Sequence, residues 1–274
     1  MIHDSVFRVV VLALAASSSI GARQQSSNAR AGWPCGGRLD PAYFDVAEAT
    51  GGQLFLLAPG ELGGAAPLLM AFDEHRQTIF RLAGTINPGV HEFRVPIDAS
   101  VESVLFSISV QCLQTAEVSS PSGAPASGEG VTDLSNFSAQ RMVIVPRPAP
   151  GVWTIRASGS GVAGITVQAR SALALTQVDF AVADGAEFTT VPVPGVENTV
   201  RIGLNGRASQ VEASLVNAAS RRIAPLKLTP GRTENAFVSR FTPPADGFRV
   251  LVEGKDANGQ AFQRMHAPLM AGRK

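Results

Sequence analysis

Residues 103–112 read SVLFSISVQC, and this stretch decides the fold class. Phe106, Ile108, Val110 and Cys112 fall on one side of an extended chain, and Ser107, Ser109 and Gln111 on the other. Alternation with a period of two is the pattern of a strand buried on one face. The pattern continues outward. TIFRLAG (78–84), HEFRVPID (91–98), AEVSSPSG (116–123), QRMVIVPRP (140–148), GVWTIRASG (151–159) and GITVQARS (164–171) read as strands broken by Gly, Pro, Asn and Ser. Many short strands with closely spaced turn signals indicate an antiparallel sandwich or barrel. SSPSGAPASGEG (119–130) is the longest small-residue loop and reads as exposed and mobile.

A second series starts near Leu175: LTQVDFAVAD (175–184), TVRIGLNG (199–206), QVEASLVNA (210–218), IAPLKLTPG (223–231), NAFVSRFTPP (235–244), GFRVLVEGKDANG (247–259) and QAFQRMHAP (260–268). Phe248, Val250 and Val252 alternate with Arg249, Leu251 and Glu253. Asn258-Gly259 then gives a two-residue hairpin signal. The count suits a second sandwich of about 100 residues, like immunoglobulin or fibronectin domains. The boundary between the two falls near residues 171–176.

Ahead of the strands lies one clear helix, PAYFDVAEAT (41–50). Asp40 is placed to cap it and Pro41 suits its first position. Tyr43, Phe44, Val46 and Ala47 supply its apolar positions, and Thr50-Gly51-Gly52 ends it. QLFLL (53–57) reads as a buried strand. ELGGAAPLLMAF (61–72) reads as a second short helix or an irregular connector.

The first 22 residues have the layout of an export signal. A polar start with Arg8 is followed by VVVLALAASSSIGA (9–22), an apolar run that fades into small residues, with cleavage near Gly21 or Ala22. The run is too short to span a membrane, which takes about 20 apolar residues. RQQSSNARAG (23–32) reads as a flexible N-terminus of the exported chain. Two cysteines in an exported protein invite a disulfide. Cys35, in the turn-like WPCGG (33–37), would then staple the N-terminus to Cys112 in the first sandwich; the alternative is two free thiols. The fold expected is mainly β: two antiparallel β-sandwiches preceded by a short helix-strand segment. The divisions are signal 1–22, flexible N-terminus 23–39, helix-strand tail 40–72, first sandwich 73–172 and second sandwich 173–270.

Composition narrows the function classes. The chain has 274 residues, 45% of them hydrophobic and 16% charged, with net charge +1. That supports a packed core, and no basic stripe of a nucleic-acid binder is present. The adjacent pair Arg221-Arg222 is accounted for by a solvated turn. Nucleophilic catalysis needs a nucleophile, a base and an orienting acid. His75, His91 and His266 are the histidines beyond the signal, and no Gly-x-Ser-x-Gly elbow surrounds any serine. FDEHR (72–76) lacks paired metal-ligand spacing. KDANGQAF and VADGAE lack the further ligands of a calcium loop. Asn136 opens a formal glycosylation sequon. Trp153 alternates inward with Ile155 and reads as core. Trp33, Tyr43 and Trp153 are too few to suggest an aromatic sugar platform, although polar loops can also hold a sugar. No catalytic, metal or cofactor residues are assigned.

The order of segments resembles a known arrangement. YFDVAEATGGQLFLL (43–57) is similar to the C-terminal end of a von Willebrand factor A domain, which closes with a helix, a Thr-Gly-Gly turn and a last strand. HEFRVPIDASVESVLFSISV (91–110), AEVSSPSG (116–123), VPRPAPGVWTIRASGSG (145–161) and FRVLVEGKDANGQAFQR (248–264) resemble the region after that domain in hemicentin-like extracellular matrix proteins. The resemblance covers most of residues 40–266. It implies a galactose-binding-like first sandwich, an immunoglobulin-like second one, and only the tail of the A domain. Those domains hold a metal through Asp-x-Ser-x-Ser. Here DASVES (98–103) has Asp98 and Ser100 but Glu102 in place of the second Ser, and lies after the tail. Asp98 and Ser100 are therefore expected as turn residues. The function implied is a secreted structural or adhesion module with an extracellular or envelope protein as partner. A carbohydrate-binding envelope module is the alternative, and an exported enzyme comes third. The tail is expected to pack on the first sandwich or to pair with a partner's open sheet.

Overall fold

The computed structural model describes residues 10–13, 35–36, 39–72, 75–182 and 187–269. Trp33 and most of the expected signal and flexible N-terminus lie outside these residues. The described chain is mainly β, 56% strand and 8% helix. In chain order the elements are β1 (Val10–Ala13), α1 (Pro41–Thr50), β2 (Gln53–Leu56), a 3-10 helix (Pro59–Gly64) and α2 (Ala66–Met70). The first sandwich follows as β3 (Gln77–Ile97), β4 (Val101–Val110), β5 (Thr115–Ser119), β6 (Thr132–Leu134), β7 (Gln140–Pro146) and β8 (Gly151–Ser171). The second comprises β9 (Ala174–Ala181), β10 (Asn198–Asn205), β11 (Ala208–Val216), β12 (Arg222–Leu226), β13 (Thr229–Pro230), β14 (Ala236–Phe241), β15 (Arg249–Asp256) and β16 (Ala261–Met265).

Helix α1 is set by its ends. The Asp40 carboxylate accepts the Ala42 N–H at 2.9 Å, and Pro41 occupies the first turn, where no N–H is needed. Gly51 ends the helix at φ +67°, donating its N–H to the Glu48 carbonyl. A side chain there would be strained and would meet Pro268 at 3.1 Å. The Gly52 N–H is taken by the Thr50 hydroxyl at 3.3 Å. Of the four apolar positions expected to be covered, Ala47 is buried and Phe44 half-buried, but Tyr43 and Val46 are exposed. One side of α1 is covered and the other is open.

Two strands expected as four are continuous. β3 and β8 each run 21 residues and pair antiparallel along their whole length, from Gln77↔Ala169 to Ile97↔Gly151. The Asn87-Pro88-Gly89 sequence makes a bulge within β3 rather than a turn, where a proline is tolerated in a ladder. β8 bends near Gly161 (φ +89°), and Gln111 lies so close that a Cβ would sit 2.8 Å from its side-chain oxygen. The sheet order is β3-β8-β4-β7-β6, with β5 on the other half of β8, so one bent sheet folds over its own core. That core includes Phe106, Ile108, Val110, Ile155 and Trp153. Trp153 stacks on Phe106 at 5.6 Å and donates its indole N–H to the Ala149 carbonyl.

SVLFSISVQC corrects the reading of a half-buried strand. Every residue from Val104 to Val110 is buried. The even-numbered residues face the sandwich core. The opposite face is covered by the tail. Leu105 packs with Phe55, Leu57, Leu68 and Met142, and Ser109 accepts the Leu56 N–H at 3.2 Å. Leu54, Leu56 and Ala47 pack on Ala139 and Val162. The tail is thus a third layer; it satisfies the Ser109 hydroxyl, while Ser107 accepts from the Gln140 amide of β7 at 3.1 Å.

The second sandwich has two four-stranded sheets, β13-β14-β10-β9 and β12-β11-β15-β16. Phe180, Ile202, Phe248, Val250 and Phe262 lie in the core between them. The β15–β16 hairpin is not the two-residue turn read from Asn258-Gly259. Only Gly259 has positive φ (+76°), and Asp256 pairs back with Gln260 across a three-residue loop. The Asp256 carboxylate explains the longer loop, because it accepts the N–H groups of Asn258 and Gln260, both at 2.8 Å. Loop 119–130 is exposed, yet Ser120 N–H to Ala124 O and Ala126 N–H to Val118 O, both 2.8 Å, fold it back on β5.

Candidate functional site

The richest polar chemistry lies where the tail meets both sandwiches. Glu48 on α1 forms an ion pair with Arg249 on β15 and a second with Arg81 on β3 at 3.5 Å. Arg81 is 6% exposed, and its guanidinium donates to the carbonyls of Ala47 (3.0 Å), Gly51 (3.2 Å) and Gly52 (2.6 Å). A cation at the end of a helix satisfies its last carbonyls and its dipole together. Arg249 is 1% exposed and also donates to the carbonyls of Asn217 (3.1 Å) and Ala218 (3.2 Å). Burial lowers its pKa, and the charge and hydrogen bond of Glu48 oppose that shift.

A second pair lies deeper. The side chains of Asp98, after β3, and Arg264, on β16, are fully enclosed and meet at 2.8 Å. Arg264 also donates to the Leu173 carbonyl at 2.9 Å and to the Ser171 hydroxyl at 2.6 Å. Asp98 closes its own turn through the Ser100 N–H at 3.1 Å, so the turn role coexists with an ion pair that sequence reading missed. Asp256 reciprocates: its second oxygen accepts the Ala99 N–H at 2.9 Å. Each sandwich therefore has a turn-closing aspartate that also holds the other. The outer edge of β3 is covered as well, by Ala83 N–H to Ala218 O at 2.8 Å and Gln263 to Ile79 O at 2.7 Å.

Cys35 and Cys112 form a disulfide. Closing a loop of 77 residues removes chain entropy worth about 4 kcal/mol in the unfolded state. Cys112 sits where the turn after β4 crosses the bend of β8, with its N–H on the Ser160 carbonyl at 3.0 Å.

The histidines do not converge. His91 bonds the Asn87 carbonyl at 2.8 Å on an exposed stretch. His266 contacts the Ala267 carbonyl at 2.9 Å, and burial lowers its pKa, with that bond and Asp179 opposing. Among the described residues no group of three His, Cys, Asp or Glu is placed to hold a metal ion, and no helix is long and apolar enough to cross a membrane. Two clefts stand out. One of about 270 Å³ lies at the junction, between Thr50, Gln77, Thr78, Met265 and His266. The other, of about 340 Å³, lies on the first sandwich, lined by Gln114, Thr115, Ser135, Phe137, Gln140 and Arg141. Arg141 is held there by Asp133 at 2.6 Å.

Residues 79–172, which span nearly all of β3 to β8, match the model of a family described as Hemicentin galactose-binding domain-like. The chain is 24% identical to Hemicentin-1 of Mus musculus over 239 residues, covering 81% of this chain and 4% of that protein. The figures are the same for Hemicentin-1 of Homo sapiens. Hemicentin-2 of Mus musculus is 25% identical over 245 residues, covering 84% of this chain and 5% of that one. The chain thus spans only 4–5% of the length of these relatives. A solved lipase of Bacillus licheniformis in propeptide form is similar at TM-score 0.33 and 14% identity, over 69% of this chain and 40% of that chain. The first sandwich is galactose-binding-like.

Proposed function

We propose that the chain is a secreted, non-enzymatic structural or adhesion module that binds protein partners outside the cytoplasm, with a tail derived from the end of a von Willebrand A domain and an immunoglobulin-like second sandwich. The likeness to hemicentins, which are extracellular matrix proteins, covers 81–84% of the chain and supports this reading. The observation that carries it is the junction. Two sandwiches and a tail held by buried arginine–carboxylate pairs make a rigid unit that can present loops and edges at fixed positions. The test is capture with the immobilised exported chain from envelope and culture-fluid extract of its own source, with and without calcium, read by mass spectrometry. A reproducible protein partner is expected. Recovery of polysaccharide alone would overturn the reading, and calcium dependence would add a metal to it.

The cleft on the first sandwich supports a second reading, a carbohydrate-binding envelope module. The Gln114 amide, Arg141, the hydroxyls of Thr115, Ser135 and Ser138 and the Phe137 ring line a concave surface that suits a sugar's hydroxyls and one apolar face. A glycan microarray decides it. Specific binding that Gln114→Ala abolishes would favour the sugar, and a blank array would remove it.

A further inference from the structure

The edge of β2 is completed by residues expected to be lost on export. β2 pairs in parallel with β1 at Val10↔Gln53, Val11↔Leu54, Leu12↔Phe55 and Ala13↔Leu56, and their sheet has no further strand. β1 lies within residues 1–22, which read as an export signal. Cleavage near Gly21 or Ala22 takes β1 away. What remains is a four-residue strand, all of it buried in the described fold, with helix α1 touching both strands of the pair. Its vacated edge presents backbone N–H and C=O groups beside α1. Such groups are costly to leave unpaired, and sheet edges of this kind accept an added strand. An independent observation points to the same layer. Of the 12 exposed large apolar side chains among the described residues, five belong to the tail: Tyr43, Val46, Leu62, Leu69 and Met70, the last 84% exposed. Apolar exposure gathered on one small layer marks an interaction surface.

We propose that the slot vacated by β1 is a docking site for a partner protein, which adds an extended, apolar strand parallel to β2. The proposal rests on the export and protein-binding readings above. Its chemistry follows from the register, which sets the added strand alongside Leu54, Phe55 and Leu56. A second copy is a poor occupant. It has lost the same segment, and two β2 edges related by two-fold symmetry would pair antiparallel.

The test uses the exported protein purified from its host, with its N-terminus read by mass spectrometry. It is titrated with a synthetic peptide of residues 8–16, RVVVLALAA, carrying added lysines for solubility. Saturable binding and a raised melting temperature are expected. A peptide with proline in place of Val11 should bind roughly tenfold more weakly, because proline cannot donate to the ladder. No binding by a protein that starts after Ala13 overturns the proposal. So does an N-terminus before Val10, since the seat is then filled by the chain itself. Dimerisation in sedimentation that excludes the peptide replaces the partner with a second copy. A chain that fails here but captures a protein from extract loses the docking site and keeps the adhesion reading.

Discussion

Asp98 and Arg264 are both sealed from solvent. Removing one partner of such a pair leaves a buried charge and typically costs about 3–5 kcal/mol, whereas replacing both with apolar groups is often near neutral. Asp98→Ala should therefore lower stability by about 3 kcal/mol. The double variant Asp98→Ala/Arg264→Met should recover part of the loss, as measured by urea unfolding. Equal losses in the single and double variants would mean that Asp98 acts through its turn alone. His266 gives a pH signature. Its folded pKa lies below the ordinary value because burial opposes the charged form. The unfolded chain then binds more protons between the folded pKa and about 6.5, so stability is present above that range and falls as pH drops through it. Melting temperatures from pH 7.5 down to 5 should decline, and His266→Asn should flatten the decline. None of these partnerships was legible in the sequence. Arg264 is 166 residues from Asp98, and Arg249 is 201 from Glu48. One local signal existed: Leu251 between Arg249 and Glu253 breaks the polar face of β15, a hint that this face is covered too.

Element identities were largely legible, because period-two alternation and turn residues are local. The cap, proline and glycine that bound α1 were readable for the same reason. Continuity was not legible. Asn-Pro-Gly in β3 and Gly-Ser-Gly in β8 carry turn composition, and only pairing along 21 residues keeps both strands unbroken. The covered outer face of β4 was also invisible, since Ser107 and Ser109 look solvated until the tail is laid over them. That covering assigns the tail a task. Phe55 is 1% exposed and packs on Leu57, Leu68 and Leu105. Phe55→Ala should cost about 3–5 kcal/mol in the first sandwich, by the usual scale for emptying an aromatic site. Deleting residues 31–60 should lower its melting temperature further. An unchanged melt of the deletion would make the tail dispensable.

At the scale of the molecule, three layers share buried ion pairs and have little independence. A single calorimetric transition is expected, because either sandwich unfolding alone would strand Arg81, Arg249 or Arg264 without its carboxylate. Combining Glu48→Ala with Asp98→Ala should split that transition in two; a single peak in the combined variant would place the coupling in apolar contacts instead. The Cys35–Cys112 bond adds a consequence for a chain under tension. A pull arriving from upstream of Cys35 crosses the sulfur bridge and enters the fold at Cys112, so the segment between the two cysteines stays slack. Helix α1, β2, β3 and β4 are then shielded from stretching while the bond is closed. Once it is reduced, the same pull runs through the tail first and peels it from the sheet it covers. The redox state of one bond thus decides which layer of the molecule feels mechanical load.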